Sequence, residues 1–320
     1  MEESAIISRL SEIFAARSGA DLIVGIGDDA ALFRTKGNLV AVSTDILTEG
    51  THFKREWSDL YSIGRKAAAA NLADILAMGA VPTYLLVAVA FDPKEGEGIF
   101  DLAHGIADEC GKVGVRVIGG DLSRSQVLTV AITALGESRA DEESIITRAG
   151  AREGDGLYIV DLPGKSYLGL EQLIRGIVID ADAIAFHKAP SVAYQHFFKV
   201  ADCASALCDI SDGILMDAST LARASGVRID IDSEALAAHP DFASIASIAE
   251  EMGLDPLEAI LSSGEEHSPL FTALPERVAT LLAGVRSYRI GTVVGRRDSE
   301  GSVAVTVDGK KREDHGFKHF

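Results

Sequence analysis

Three apolar runs in this chain each stop on an aspartate. "LVAVSTD" ends at Asp45, "VRVIGGD" at Asp121, and "SALCDISD" at Asp209 and Asp212. Short apolar runs bounded by turn-forming residues are the pattern of buried strands, and the loops beyond strand ends are where α/β folds place their ligands. Such a chain must build a sheet whose strand ends carry charge. Taken singly, each aspartate is an ordinary turn or helix cap. A fourth place repeats the theme, because "GIGDDAALF" (25–33) sets Asp28 and Asp29 side by side between glycines and a short apolar run.

The sharpest member of the set is Asp74, inside the helical stretch "SIGRKAAAANLADILAMGA" (62–80). Flanked by Leu72, Ile75 and Leu76, it is expected to face the core, with Asn71 beside it at i, i+3 on one helix face. A buried carboxylate needs a cation, several donors or a metal, so either Arg65 or Lys66 partners it or an ion does. Ala67 to Ala70 and Gly79 remove bulk and let another backbone or a ligand approach. If Asp28, Asp29, Asp45, Asp74, Asp121, Asp209 and Asp212 converge, each close pair repels by about 1 kcal/mol even in water. Divalent cations remove that cost. Carboxylates without His or Cys ligands select hard ions, and the usual work of acid-held Mg²⁺ is to bridge nucleotide phosphates. The sequence has no G-x-x-x-x-G-K-[ST] loop and neither H-R-D nor D-F-G, so any ATP site is of another kind, and Gly119 and Gly120 are positions where backbone amides can meet phosphate.

Apolar periodicity predicts helices at about 4–16, 59–78 and 97–113 and strands at 39–43, 83–91, 115–118 and 127–136. A polar, Gly-rich passage at 137–156 follows. Beyond it the pattern gives strands at 157–161, 205–210, 227–232, 269–273, 288–294 and 302–307, with helices at 167–178, 190–200, 213–225, 243–252, 256–262 and 275–283. This is a mixed α/β (α+β) chain. Its 320 residues suit two domains of roughly 150 residues, divided as 1–137 and 138–320. A net charge of −18 argues against a nucleic-acid partner, since phosphate backbones need Lys and Arg stripes. The longest apolar stretch (81–91) falls short of the ~20 residues of a membrane span, and the first ten residues carry two acids where a signal peptide carries positive charge. Cys110, Cys203 and Cys208 have no metal-ligand spacing and form no paired framework. A cytoplasmic location is the expectation.

The motifs "GIGDDAAL", "STDILTEGTHF", "IGRKAAAANLADILAMGAVP", "VIGGD" and "DISDGI" follow one another in an order that resembles the thiamine-monophosphate kinases. That family belongs to the superfamily that includes aminoimidazole ribonucleotide synthetase and selenophosphate synthetase. The resemblance implies a two-domain synthetase-like fold, homodimeric through its N-terminal sheet domain, that uses ATP and Mg²⁺ to phosphorylate thiamine monophosphate. It further implies that Asp29, Ser43, Thr44, Asp45, Asp74, Asp121, Asp209 and Asp212 hold metal. Gly120, Asp121, Arg148, Ser211 and His104 would meet ATP, while His52, Glu265 and Phe317 would meet the substrate.

Joining two anions is opposed mainly by charge repulsion, so direct in-line transfer assisted by metal is expected, with no nucleophilic side chain. Three segments depart from the family pattern. "GEEHSPLF" puts Glu266 where the family has Asp, "DLPGKSYLGL" (161–170) stands for a small-residue loop, and "FHKAPSVAYQ" (186–195) has Lys188 in place of Arg and a single proline. These departures fall on the substrate side, so they leave open a different phosphorylated acceptor, a related synthetase, or a nucleotide-binding relic without turnover. A metal-dependent phosphohydrolase is the remaining alternative.

Overall fold

The computed structural model describes residues 22–24, 28–34, 39–139, 145–282, 284–297 and 303–312; the helix expected at 4–16 lies outside them. The first half runs β1 (Leu22–Val24), β2 (Ala31–Arg34), β3 (Leu39–Thr48), α1 (Leu60–Ala77), β4 (Val81–Phe91), α2 (Ile99–Gly111), β5 (Arg116–Arg124) and β6 (Thr129–Glu137). Its six strands form one sheet in the order β1-β2-β3-β6-β4-β5. Only β4 and β5 pair in parallel, and β5 is an exposed edge.

The second half runs β7 (Gly156–Ile159), α3 (Lys165–Arg175), α4 (Ala181–Lys188), α5 (Gln195–Ala201), β8 (Ala206–Asp209), α6 (Ile214–Ser225) and β9 (Val227–Ile231). It continues through α7 (Ser233–Ala237), α8 (Phe242–Glu251), α9 (Pro256–Leu261), β10 (Pro269–Ala273), α10 (Pro275–Leu281), β11 (Tyr288–Arg296) and β12 (Val305–Val307). These strands form a second sheet, ordered β12-β9-β11-β7-β10-β8.

Strand parity explains how the halves join. Leu157 and Ile159 of β7 pack with Leu168, Leu221, Ile245 and Ile260 from α3, α6, α8 and α9. Tyr158 of β7, Val160 just beyond it, Leu207 of β8 and Phe271 of β10 instead enter the core that contains Ile63, Leu72 and Leu76 of α1. Because successive strand residues face opposite ways, the second sheet is buried on both faces and α1 is enclosed between the two sheets. A helix in that position must be apolar nearly all round, and Ile63, Leu72, Ile75 and Leu76 are fully buried.

Helix α1 starts at Asp59, whose carboxylate accepts from Ser62 N at 2.7 Å. It then crosses α2 backbone to backbone. A Cβ at Gly64 would stand 2.1 Å from Leu102 O, and one at Gly105 would stand 2.0 Å from Tyr61 O. The close approach expected from the alanine run is therefore made one turn earlier, by Gly64, while Ala67, Ala68 and Ala69 fill the core.

Two expectations about strand ends are corrected. Strand β3 continues past Asp45 to Thr48, and β5 continues past Asp121 to Arg124. The unbroken pairing of residues 40–48 with β6 and the parallel pairing of β5 with β4 carry the backbone onward regardless of the acid. The helix expected at 167–178 ends at Gly176, which adopts φ 65°, and a separate α4 follows, capped by Asp180. Pro190 lies just beyond α4, and the helix expected from 190 starts only at Gln195.

Candidate functional site

Asp209 is the last residue of β8, and its parity with Leu207 turns it toward α1. Asp74 lies in the last turn but one of α1, and Asp29 lies in the turn before β2. One carboxylate oxygen from each of Asp29, Asp74 and Asp209 lies within 4.8 Å of the others. Residues from three distant parts of the chain thus meet at one point. Strand β3 supplies the adjoining wall. Ser43 Oγ donates to Asp74 Oδ2 at 2.6 Å, and Asp45 N donates to Asn71 Oδ1 at 3.3 Å. Asn71 is fixed in turn by donating to Ala67 O at 2.9 Å.

Burial pushes the Asp29 carboxyl up to about 7, against the pull of Arg148. Burial likewise raises Asp74 well above the usual carboxylate range, aided by the charges of Asp45, Asp209 and Asp29. Like charges held this close resist ionising together. Arg148 offsets part of the excess. Its guanidinium donates to Asp29 Oδ1 at 2.5 Å and Oδ2 at 3.1 Å, while its backbone N donates to Asp28 Oδ2 at 3.1 Å. Arg148 comes from the passage between the sheets, so that segment is part of the site.

Neither helical cation reaches Asp74. Arg65 pairs with Glu109 at 2.9 Å and Lys66 with Glu265 at 2.7 Å. His267 Nδ1 lies 2.9 Å from Asp209 Oδ2, yet Asp209 Oδ1 is buried with no hydrogen-bond partner. A buried orphan carboxylate oxygen is costly unless a cation meets it. An all-oxygen donor set with such an atom at its centre fits a hard divalent ion such as Mg²⁺. Arg148 uses one lone pair on each oxygen of Asp29, which leaves the others to serve such an ion.

The "DISDGI" loop is shaped by a residue that sequence reasoning missed. Asp217, buried in the first turn of α6, accepts from Ser211 N, Asp212 N and Gly213 N at 3.0, 3.2 and 3.0 Å. Burial raises its carboxyl well above the ordinary range. Its signal in the sequence is an acid placed four residues beyond a glycine that begins a helix. Ser211 and Asp212 are held beside Asp209 by this arrangement.

The other site candidates spread more widely. His52 accepts from Thr48 N at 3.0 Å and lends its carbonyl to Lys66. Glu265 sits on the loop before β10 and bonds Lys66. His104 is exposed on α2. Thr44 faces away from Asp45, with its hydroxyl donating to Ile132 O. Asp121 is aligned with Ala88, Ala131 and Ile46 in one row across the sheet, on the face opposite Asp45, and Gly120 lies in the neighbouring row beside Val87. Asp121 and Thr44 do not join the carboxylate cluster. Phe317 lies outside the described residues.

The Glu266 departure has a local explanation. Its Oε1 accepts from Gly164 N at 2.8 Å, Ser166 N at 3.0 Å and Ser263 Oγ at 2.6 Å. The longer acid caps α3 and stabilises the "DLPGKS" turn.

Comparison with known proteins gives the family. Residues 27–138 match the model for the AIR synthase related protein N-terminal domain, and 187–308 match that for its C-terminal domain. The thiamine-monophosphate kinase of Mycobacterium tuberculosis is 37% identical over 313 residues, covering 97% of this chain and 88% of the relative. That of Aquifex aeolicus is 32% identical, covering 92% of each. The solved structure of AaThiL complexed with AMPPCP and TMP superimposes with a TM-score of 0.86 at 29% identity, covering all of this chain and 97% of the other.

Proposed function

Because the chain belongs to the AIR synthase related proteins, both of whose domains it carries, we propose that it transfers the terminal phosphate of ATP to thiamine monophosphate, yielding thiamine diphosphate. Relatives that match 92 to 97% of its length are thiamine-monophosphate kinases. The observation that carries the reading is the meeting of Asp29, Asp74 and Asp209 around the unpartnered Asp209 Oδ1.

Asp29, Asp74, Asp209 and the adjoining Asp45 would hold Mg²⁺, with Ser43 fixing Asp74 and Asp217 fixing the loop that bears Asp212. Bound there, the ion would supply positive charge to offset the repulsion between donor and acceptor phosphates. Arg148 favours the ionised form of Asp29 and orients it, and it becomes a phosphate ligand when it exchanges the carboxylate for a nucleotide oxygen, a geometry its planar fork suits. Glu265 and His52 sit on the acceptor side. The acceptor phosphate is itself the nucleophile, so the protein's work is alignment and charge balance.

The reading includes a homodimer. The first sheet carries α1 and α2 on one face, while the other exposes Ile46 (55%) and Leu86 (41%) beside Thr44 and Asp121. A second copy covering this apolar face would bring Thr44 and Asp121 out of solvent. Among the described residues no helix is long and apolar enough to cross a membrane, and the three cysteines are free and buried. Both features suit the cytoplasm, where ATP and reducing conditions prevail.

The test is formation of thiamine diphosphate by purified protein with ATP, Mg²⁺ and thiamine monophosphate. Nucleotide binding without product, or phosphate release without acceptor, would refute the kinase reading. Protein-bound phosphate in a single turnover would refute direct transfer.

A further inference from the structure

We propose that Lys66 is the positioning residue of the acceptor side. Its ammonium fixes Glu265 from the second half and the His52 turn from the first, and so sets affinity for thiamine monophosphate rather than for ATP. This inference rests on the kinase reading above.

Lys66 is 3% exposed, on the helix that both sheets enclose. An ammonium has three donors, and here each has an acceptor: Glu265 Oε2 at 2.7 Å, His52 O at 3.2 Å and His187 O at 3.2 Å. The three acceptors come from segments separated by as many as 213 positions in the sequence. A buried lysine retains its proton only where such partners offset desolvation. The carboxylate gains as well, since the Lys66 ammonium holds the Glu265 carboxyl below its ordinary value despite burial.

The backbone around Glu265 requires this tether. Glu265 adopts φ 58° and His267 φ 50°, a region that side-chain-bearing residues avoid. The loop is pinned on one side by Glu265 N and His267 N donating to Ser211 O and Ile210 O at 2.7 and 2.8 Å. On the other side, among the described residues, only the Lys66 bridge draws Glu265 toward the first half. His187 cannot substitute for it, because burial and the adjacent ammonium lower its imidazole to about 4 and keep it neutral, with Nδ1 3.1 Å from Ser166 Oγ.

Lys66 and His187 both meet Oε2 of Glu265, whose side chain is 30% exposed. Oε1 is thereby presented to the ligand. A carboxylate oxygen so held suits a cationic heteroaromatic ring, and thiamine monophosphate carries one in its thiazolium. The nucleotide has no such cation. Asp74 lies two helical turns further along α1, so phosphate binding there does not require the strap.

The test compares wild type with K66M, K66R, E265Q and the double variant K66M/E265Q. K66M is expected to raise KM for thiamine monophosphate about tenfold or more while KM for ATP changes by less than about twofold, a split that a general loss of stability would not produce. K66R keeps the charge and falls between. The double variant should match E265Q alone, because Lys66 acts through Glu265. Amide exchange read by mass spectrometry gives an answer independent of turnover, with 262–267 and 49–53 exchanging faster in K66M. Should K66M fail to fold, K66R carries both comparisons. Equal rises in both KM values, multiplying effects in the double variant, or unchanged exchange would overturn the proposal. A wild type that exchanges as expected but forms no thiamine diphosphate would sink the kinase reading and leave the strap standing.

Discussion

Two carboxylates, one on helix α1 and one on α2, meet opposite surroundings. Glu109, fully buried on α2, receives Arg65 at 2.9 Å, Lys112 at 2.8 Å and the Tyr194 hydroxyl at 2.7 Å. Asp74, on α1 itself, receives a hydroxyl from Ser43 and otherwise faces other acids. The first cluster is complete and joins α1, α2 and the segment before α5 into one block. The second sets a single guanidinium, that of Arg148, against the acids Asp29, Asp74 and Asp209. The chain satisfies a buried acid at Glu109 yet leaves Asp209 Oδ1 without a hydrogen-bond partner, and the proposed metal site rests on that contrast.

The largest expected effect lies at the incomplete cluster. D74N or D209N should lower kcat by about 10³-fold or more, since charge stabilisation is the main catalytic term in phosphoryl transfer. The same variants should melt at or above the wild-type temperature without metal, because a repulsive charge is gone. Loss of fold in both would break the contrast. At the complete cluster, E109A should cost about 3 kcal/mol of stability by stranding two cations and a hydroxyl. Denaturant titration reads that cost, and turnover per folded molecule should stay within about twofold.

A smaller effect separates the clusters by pH. Because Asp29 titrates near 7 and Asp74 is raised as well, protons compete with metal below neutrality and the competition disappears as pH rises. The rise in melting temperature given by Mg²⁺ should therefore be small at about pH 5.5 and grow through about pH 8; a shift independent of pH would contradict the assignment. The smallest effect tests the two faces of β3. S43A should reduce kcat about tenfold by freeing Asp74, whereas T44V, on the opposite face, should change it by less than about threefold. Steady-state kinetics on the two variants decides this.

Much of the site was legible because acids are costly to bury. The positions of Asp29, Asp74 and Asp209 follow from the question of what a carboxylate does beside apolar residues, and the relation of Asn71 to Asp74 follows from helix geometry. The sheets were legible as apolar runs, although their ends were not. Asp45 and Asp121 read as terminators, but strand pairing is a long-range property, and β6 and β4 carry their neighbours past an acid that points away from the ladder. What could not be read locally was which cation serves which acid. Arg65 and Lys66 are adjacent in sequence, yet they diverge by about 100° around the helix and reach Glu109 and Glu265 on different elements. Glu266 read as a defect of the substrate loop because its use, capping a helix that begins 101 positions earlier, exists only in the folded chain.

The enclosure of α1 between two sheets also fixes how this protein can vary. Lys66 and Asp74 ride on one rigid rod, and adding or removing a residue between them would swing one relative to the other by about 100°. Substitutions along that rod are tolerated by size, but insertions and deletions are not. The span from Lys66 to Asp74 therefore acts as a ruler that keeps the spacing between the Glu265 bridge and the carboxylate cluster constant while the loops at either end are free to diverge.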